Sequence, residues 1–562
     1  MGTRRVVYLM VAALLATWWA VAVEAPHVSA LTLTASPDPT ADGAPGSLRA
    51  VLAAATSPGG DEIDLQAGGA YTLTCLGGGQ LGHGTTPLTI TTPLGPPATI
   101  RQTCPGQRVL TQSLGLLTLH NVVITGGNYA PGAIVIPNGG AIEEVFGSVV
   151  VTDSTFENNT VTAAAGEPAP AAGGAIGQSG FTPSGSSITV INSTFTHNAV
   201  LASADPSCLG VPGSCGDAFG GAIGADVPVT VENSTFTDNT ATDPHPGTAN
   251  FAVGAHGGAI DSSAAFPPPF GGPVTVTNST FIGNTATAPN AFAYGGAISS
   301  DGDPTSTTLT SSVFTDNSVT GQTVASGGAV ALPDCCGVPG TTAPPIAVIN
   351  STLTDNNATA APGGVGWGGA IGVPVVGVPA SATTNSTMTG NAASTAGGAV
   401  LASRLSAVYS TMVDNTAPAG ANVYVLGAPV GATGLASFAS VFALPHGGGS
   451  NCVVSSHPTS SSFSYSDDSS CNLAGTGDRQ QAGDPMLAAL ANNGGPAPTL
   501  LPLPGSPLLD AVPAASCQAD GAAGITTDER GLPRPDPGAS TCDIGAVEIQ
   551  APRAPSPAPR AP

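Results

Sequence analysis

Two short phrases alternate along the middle of this chain, and together they constrain its architecture more than any other feature. GGA followed by Ile or Val begins at Gly139, Gly173, Gly220, Gly257, Gly295, Gly327, Gly368 and Gly397. A large apolar residue followed three positions later by Asn recurs at Phe156/Asn159, Phe195/Asn198, Phe236/Asn239 and Phe281/Asn284, and again at Phe314/Asn317, Leu353/Asn356, Met388/Asn391 and Met412/Asn415. Between the phrases lie short runs rich in Val, Thr, Ile and Phe, separated by Gly, Asn and Asp, which are strand and turn signals. "VTVENSTF" is typical: Val229 and Val231 share a face, Glu232-Asn233 is a polar corner, and Thr235-Phe236 follow. Each unit offers about three short strands and cannot close a core alone. Stacked units pair every strand with the coils above and below, which predicts an all-β, right-handed parallel β-helix. In that fold Gly-Gly marks a sharp strand entry where a Cβ would clash, with Ala and Ile then pointing outward and inward. The Phe column fills the core. The Asn column sits at a turn and stacks rung on rung.

The spacing fits one coil per unit with loops of variable size: Phe156 to Phe195 is 39 residues, whereas Met388 to Met412 is 24. The 76 Gly and 52 Pro of the 562 residues would suggest disorder, but the glycines keep fixed places in each unit. Net charge is −24, every one of the 11 basic residues is Arg, and none falls between Arg108 and Arg404. A nucleic-acid partner or an anionic membrane surface needs a basic stripe, so both are excluded as expected partners.

Both ends read differently from the repeats. Arg4 and Arg5, the apolar run Val6 to Val23 and the small residues Val28-Ser29-Ala30 make residues 1–30 a signal peptide, with the mature chain starting at Leu31 and no later membrane span. Ten cysteines in an exported chain suggest disulfides; spacing does not fix their connectivity, and nearest-neighbour pairing (75–104, 208–215, 452–471, 517–542, with a vicinal Cys335–Cys336) is the arrangement that would close local loops. Leu48, Val51, Leu52 and Ala55 form the one amphipathic helical face, expected to cap the first coil. The organisation is thus 1–30 signal, 31–108 cap and first coils, 109–440 repeat body, 441–550 C-terminal domain and 551–562 a Pro/Arg-rich tail.

Three resemblances accompany these features. The paired GGA[ILV] and FxxN motifs over residues 121–415 resemble the repeats of polymorphic outer-membrane proteins, which implies a surface-exposed β-helix; the membrane barrel that ends those proteins has no counterpart here. Ser47-Leu48-Arg49 resemble the CSLREA-type segment of secreted β-helices, with Gly46 and Ala50 in place of its Cys and Glu. "NCVVSS" at Asn451, "DPMLAALANNGGPAPT" from Asp484, "LPGSPLLDA" from Leu503, "TDERGLPRP" from Thr527 and "CDIGAVE" from Cys542 resemble the choice-of-anchor Q domain of bacterial surface proteins.

Candidate chemistry is sparse. A lyase mechanism needs an Arg or Lys base, which the repeat body lacks, and Gly82-His83-Gly84 lies far from Asp467-Asp468. No residue is therefore assigned as catalytic or cofactor-binding. Asp226, Asp261, Asp301 and Asp303 follow GGAI phrases in successive units and are the candidate Ca²⁺ ligands if those strand ends stack. The Asp238, Asp316, Asp355 and Asp414 turns raise the same question. The expected function is a monomeric secreted or cell-surface structural or adhesion protein whose partner is a cell-wall or extracellular polysaccharide or a host surface. A carbohydrate-active β-helix enzyme and a Ca²⁺-dependent carbohydrate-binding module are the alternatives.

Overall fold

Strands in which Val alternates with Thr have one apolar face, and each finds its partner one coil away: Val229 pairs with Val274 and Val231 with Val276, parallel and in register. Repetition of that pairing builds the right-handed parallel β-helix of this computed structural model. It describes residues 31–131, 137–163, 170–179, 185–203, 216–244, 254–262, 271–300, 306–333, 346–376, 379–427, 432–454, 459–519 and 522–551. Three long sheets form the walls: sheet A with 14 strands (Leu31–Thr34 to Thr459–Ser462), sheet B with 13 (Ala70–Leu73 to Tyr465–Ser466) and sheet C with 12 (Leu81–His83 to Cys452–Val453). At the usual strand spacing, 14 strands span about 60 Å.

Two further sheets exceed the expected three strands per unit. Sheet D has eight strands (Asn128–Tyr129 to Ala392–Ala393) and sheet E six (Ala171–Ala172 to Val365–Trp367). Their strands hold only two to four residues, several of them mostly Ala, Thr or Gly such as Thr240–Thr242 and Gly254–His256, too short a pattern to stand out from loop. Each full coil therefore runs A, B, D, E, C. The main core lies between A, B and C, and a second core of small side chains (Ala241, Ala255, Ala286, Ala293) lies between D and E.

The two repeated phrases meet at the waist between these cores. Asn239 lies just past the B strand of its coil (Thr235–Thr237), and Gly257-Gly258 lie just before its C strand (Ile260–Ser262). The first Gly of each pair has positive φ, and the second leaves no room for a side chain: a Cβ on Gly258 would fall inside contact distance of Gly296 O and of Thr285 N. Ala and Ile of the phrase do not alternate as expected; Ala222 and Ile223 are both buried in the main core, because the pinched chain turns both toward it.

The waist is held by a directional ladder. Asn239 Nδ2 donates to Phe195 O at 2.9 Å and to Asn284 Oδ1 at 2.9 Å, and its own Oδ1 accepts from Asn198 N and Nδ2, both at 3.0 Å. The same step repeats through Asn317, Asn356, Asn391, Asn415, Asn422 and Asn451, where Nδ2 donates to Asp467 Oδ1 at 2.5 Å. A carboxylate only accepts, so Asp467 ends the column. Beside it Phe156, Phe195, Phe236, Phe281 and Phe314 stack with centroids 4.7–4.8 Å apart and planes within 4°. A third column explains the repeated "NST": Asn192, Asn233 and Asn278 take positive φ at the A–B corner, and the following Ser193, Ser234 and Ser279 are buried, each backbone N–H donating to the next Ser Oγ.

The ends also follow the sequence. Helix α1 (Leu48–Ala54) is capped by the Ser47 side chain accepting from Ala50 N, and buries Leu48 and Leu52 on the first coils. Arg49 pairs with Asp42 at 2.8 Å. Disulfides join Cys75–Cys104, Cys452–Cys471 and Cys517–Cys542. The expected pairs 208–215 and 335–336, the signal segment and the tail from residue 552 lie outside the described residues. Rungs continue to Ser466, inside the segment set apart as 441–550. No described helix is long and apolar enough to cross a membrane.

Candidate functional site

The most distinctive aromatic and titratable side chains of the repeat body lie where sheet E turns into sheet C. The residue just before each Gly-Gly forms a column in register: Ala172, Phe219, His256, Tyr294, Ser326, Trp367. The His256 ring lies 4.9 Å from Phe219 and 5.3 Å from Tyr294. Phe219 and His256 are buried, while Tyr294 and Trp367 are half-buried. Burial lowers the His256 imidazole to about 4, so it is neutral at pH 7. The sheet C position facing this column is tight, since a Cβ on Gly224 would press on Ala172 Cβ and Phe219 O.

Asp261 occupies that sheet C position one coil on, in register with Gly224 on one side and Ser299 on the other. It is 1% exposed. Asp226 lies two residues beyond Gly224, half-buried in the C–A turn, with its backbone N–H donating to Gln178 Oε1 at 3.3 Å. The register therefore does not set Asp226 and Asp261 side by side. Asp301 and Asp303 lie outside the described residues. Among the described residues no three His, Cys, Asp or Glu side chains gather as a metal would need. The turn aspartates Asp238, Asp316, Asp355 and Asp414 take positive φ at the B–D corner; His197 lies 3.6 Å from Asp238 and His446 3.2 Å from Asp414. His83 and Asp467 stay apart: His83 Nε2 contacts Ala55 O at 3.1 Å, while Asp467 ends the Asn ladder.

The aromatic column was missed in the sequence because its members differ in type. Its signal was available, however: the position before GGA[IV] reads Asn138, Ala172, Phe219, His256, Tyr294, Ser326, Trp367, Ala396 down the repeats.

A second constellation fastens the C-terminal segment to the last rungs. Glu529, 1% exposed, reaches two consecutive threonines of sheet B: Thr387 Oγ1 at 2.5 Å and Thr352 Oγ1 at 2.9 Å. Thr352 Oγ1 also lies 2.6 Å from Pro498 O, Asn385 Nδ2 donates to Thr527 O at 2.8 Å, and Ala546 N donates to Thr411 Oγ1 at 3.0 Å. Arg534 lies over the Tyr409 ring at 3.9 Å and donates to Asp543 O and Gly545 O, while Tyr409 donates to Cys517 O at 2.7 Å. Asp528 accepts from Arg530, Leu532 N and Glu548 N. Asp528, Glu529 and Arg534 of "TDERGLPRP" and most of "CDIGAVE" are thus buried, in contacts that dock and brace the segment. Burial raises the carboxyls of Glu529, well above its usual range, and of Glu548, to about 7.

A third buried acid lies inside sheet C. Glu144 is in register with Gln112 and Gln178, one rung to either side. Burial lifts its carboxyl to about 9, so it is neutral at pH 7. The folded value lies above the unfolded one, so stability from this group is complete below the ordinary Glu range and lost as pH rises through about 9. Wild-type protein is expected to lose up to about 1.4 kcal/mol per pH unit across that window, and Glu144→Gln to remove that loss. Urea unfolding followed from pH 5 to 10 checks this; equal pH slopes for the two proteins would refute it.

No protein-family model, no curated protein and no solved structure matches this chain.

Proposed function

We propose that the chain is an extracellular or cell-surface rod of structural or adhesive type, with no catalytic group assigned. The observation that carries this reading is that the repeated residues are spent on stacking. The Phe and Asn columns and the Ser column are all buried, so the motif serves the rod rather than a ligand. The three disulfides suit an oxidising exterior. On this reading the resemblances to polymorphic outer-membrane-protein repeats, to a CSLREA-type segment and to a choice-of-anchor Q domain describe a secreted, surface-displayed monomer. Its partner would be a cell-wall or extracellular polysaccharide or a host surface. Expression in a bacterial host tests export: a mature chain starting at Leu31, with oxidised cysteines and accessible to protease outside intact cells, is the expected result. Retention in the cytosol with residues 1–30 attached would overturn it.

A carbohydrate-binding or carbohydrate-active β-helix is the second reading, favoured by one observation. Tyr294 and Trp367, the half-buried members of the column at the E–C corner, are partly exposed aromatics of the kind that sugar rings stack on. Ca²⁺ at Asp226 or Asp261 would belong to this reading.

A further inference from the structure

We propose that Glu529 docks as the neutral acid, and that this one proton latches the C-terminal segment onto the flank of the rod, so that docking loosens as pH rises. The assignment follows from counting donors. Pro498 O can only accept, so the 2.6 Å contact between it and Thr352 Oγ1 takes the single hydroxyl proton of Thr352. The 2.9 Å contact between Thr352 Oγ1 and Glu529 Oε1 then has no proton unless Glu529 Oε1 carries it. Glu529 Oε2 is the acceptor for the Thr387 hydroxyl at 2.5 Å. A neutral carboxyl, with one donor and one acceptor, meets both partners; a carboxylate would face the lone pairs of Thr352.

The surroundings agree. From the rod, the sheet B residues that meet the segment here are Thr352, Thr387 and Thr411, none of them charged. From the segment itself, the neighbouring charges are Asp528, which disfavours a second negative charge, and Arg530, which is engaged by Asp528 at 2.7 Å. Arg534 is held by Asp543 O, Gly545 O and Glu548 and lies over the Tyr409 ring. Burial of Glu529 acts in the same direction, raising its carboxyl.

The sign follows from linkage. The docked state holds a proton that the undocked state releases above the ordinary Glu range. Docking is therefore strongest in acid and weakens as pH rises from that range toward the raised value, by up to tenfold in the docking equilibrium per pH unit.

The test is native-state hydrogen exchange on the full chain from pH 5 to 9, corrected for intrinsic exchange, following the Gly545 N–H that is bonded across the docking contact to Ala439 O of the rod. Opening should become more frequent with pH in the wild type. Glu529→Gln offers an amide donor and a carbonyl acceptor in the same places, so it should dock with a shallower pH profile, the remaining slope coming from groups such as Glu548. A wild-type profile that is flat or of opposite sign overturns the proposal by itself, whatever the variant does. Equal slopes in wild type and Glu529→Gln would also overturn it.

Discussion

Gly258→Ala is expected to prevent the middle coils from closing. The added methyl would occupy the space of Gly296 O one rung on and of Thr285 N across the waist; both are backbone atoms, and both residues are tied by their N–H groups, Thr285 to Asn239 O and Gly296 to Gly327 O. A flexible side chain could move aside at modest cost; two backbones cannot. The cost should exceed ~3 kcal/mol, the upper part of the range for overpacking a rigid core. Chemical denaturation with hydrogen exchange checks this: protection should be lost first in the coils containing Asn239 and Asn284. Gly82→Ala, where a Cβ meets nothing within 4 Å, is the control and should be close to neutral. A small effect at Gly258 would mean that the waist is not pinched as described.

Asn239→Leu should be nearly as damaging by a different route. The size is similar and the site is fully buried, so packing is largely kept. The substitution leaves Phe195 O without the amide donor and Asn198 N without its acceptor. Two buried backbone groups stranded at ~1–3 kcal/mol each predict a loss of about 3–5 kcal/mol. Asn239→Asp separates the two halves of the interaction. It retains the acceptor for Asn198 but loses both donated bonds and brings a charge into the column. Asp467 is tolerated because the ladder ends there, with Leu444 N donating to its other oxygen at 2.8 Å. Asn239→Asp should therefore be destabilising at pH 7 and partly recover in acid; a variant as stable as wild type would contradict the directional ladder.

Much of this was readable in the sequence, because a solenoid repeats its requirements. Gly-Gly announced a Cβ-free site, and the eight Asn positions announced a stacked column at a turn, whose full burial only the fold reveals. What stayed hidden was pairwise. That the Gly and Asn phrases face each other across one waist depends on the two short strands between them, and "TAT" and "GAH" carry almost no strand signal. The extra rungs contributed by Asn422 and Asn451 escaped because neither follows a Phe or Met at the repeat spacing. For the candidate sites, Asp261 was legible as a residue but not in its surroundings: its in-register neighbours are Gly224 and Ser299, not the other candidate aspartates. Glu529 looked like part of an anchor signature, and only the fold brings it to Thr352 and Thr387, over 140 residues earlier.

The claim at the centre of this account is that the repeats build a rod, with recognition added to its surface and no turnover. The most direct measurement incubates purified residues 31–562 with acidic and neutral polysaccharides, with Ca²⁺ and with chelator, and assays both binding and products. The account predicts at most binding, no new reducing ends or unsaturated products, and thermal unfolding unchanged by chelator. Product formation that is lost in Asp261→Asn would contradict it and make the corner between sheets E and C an active site.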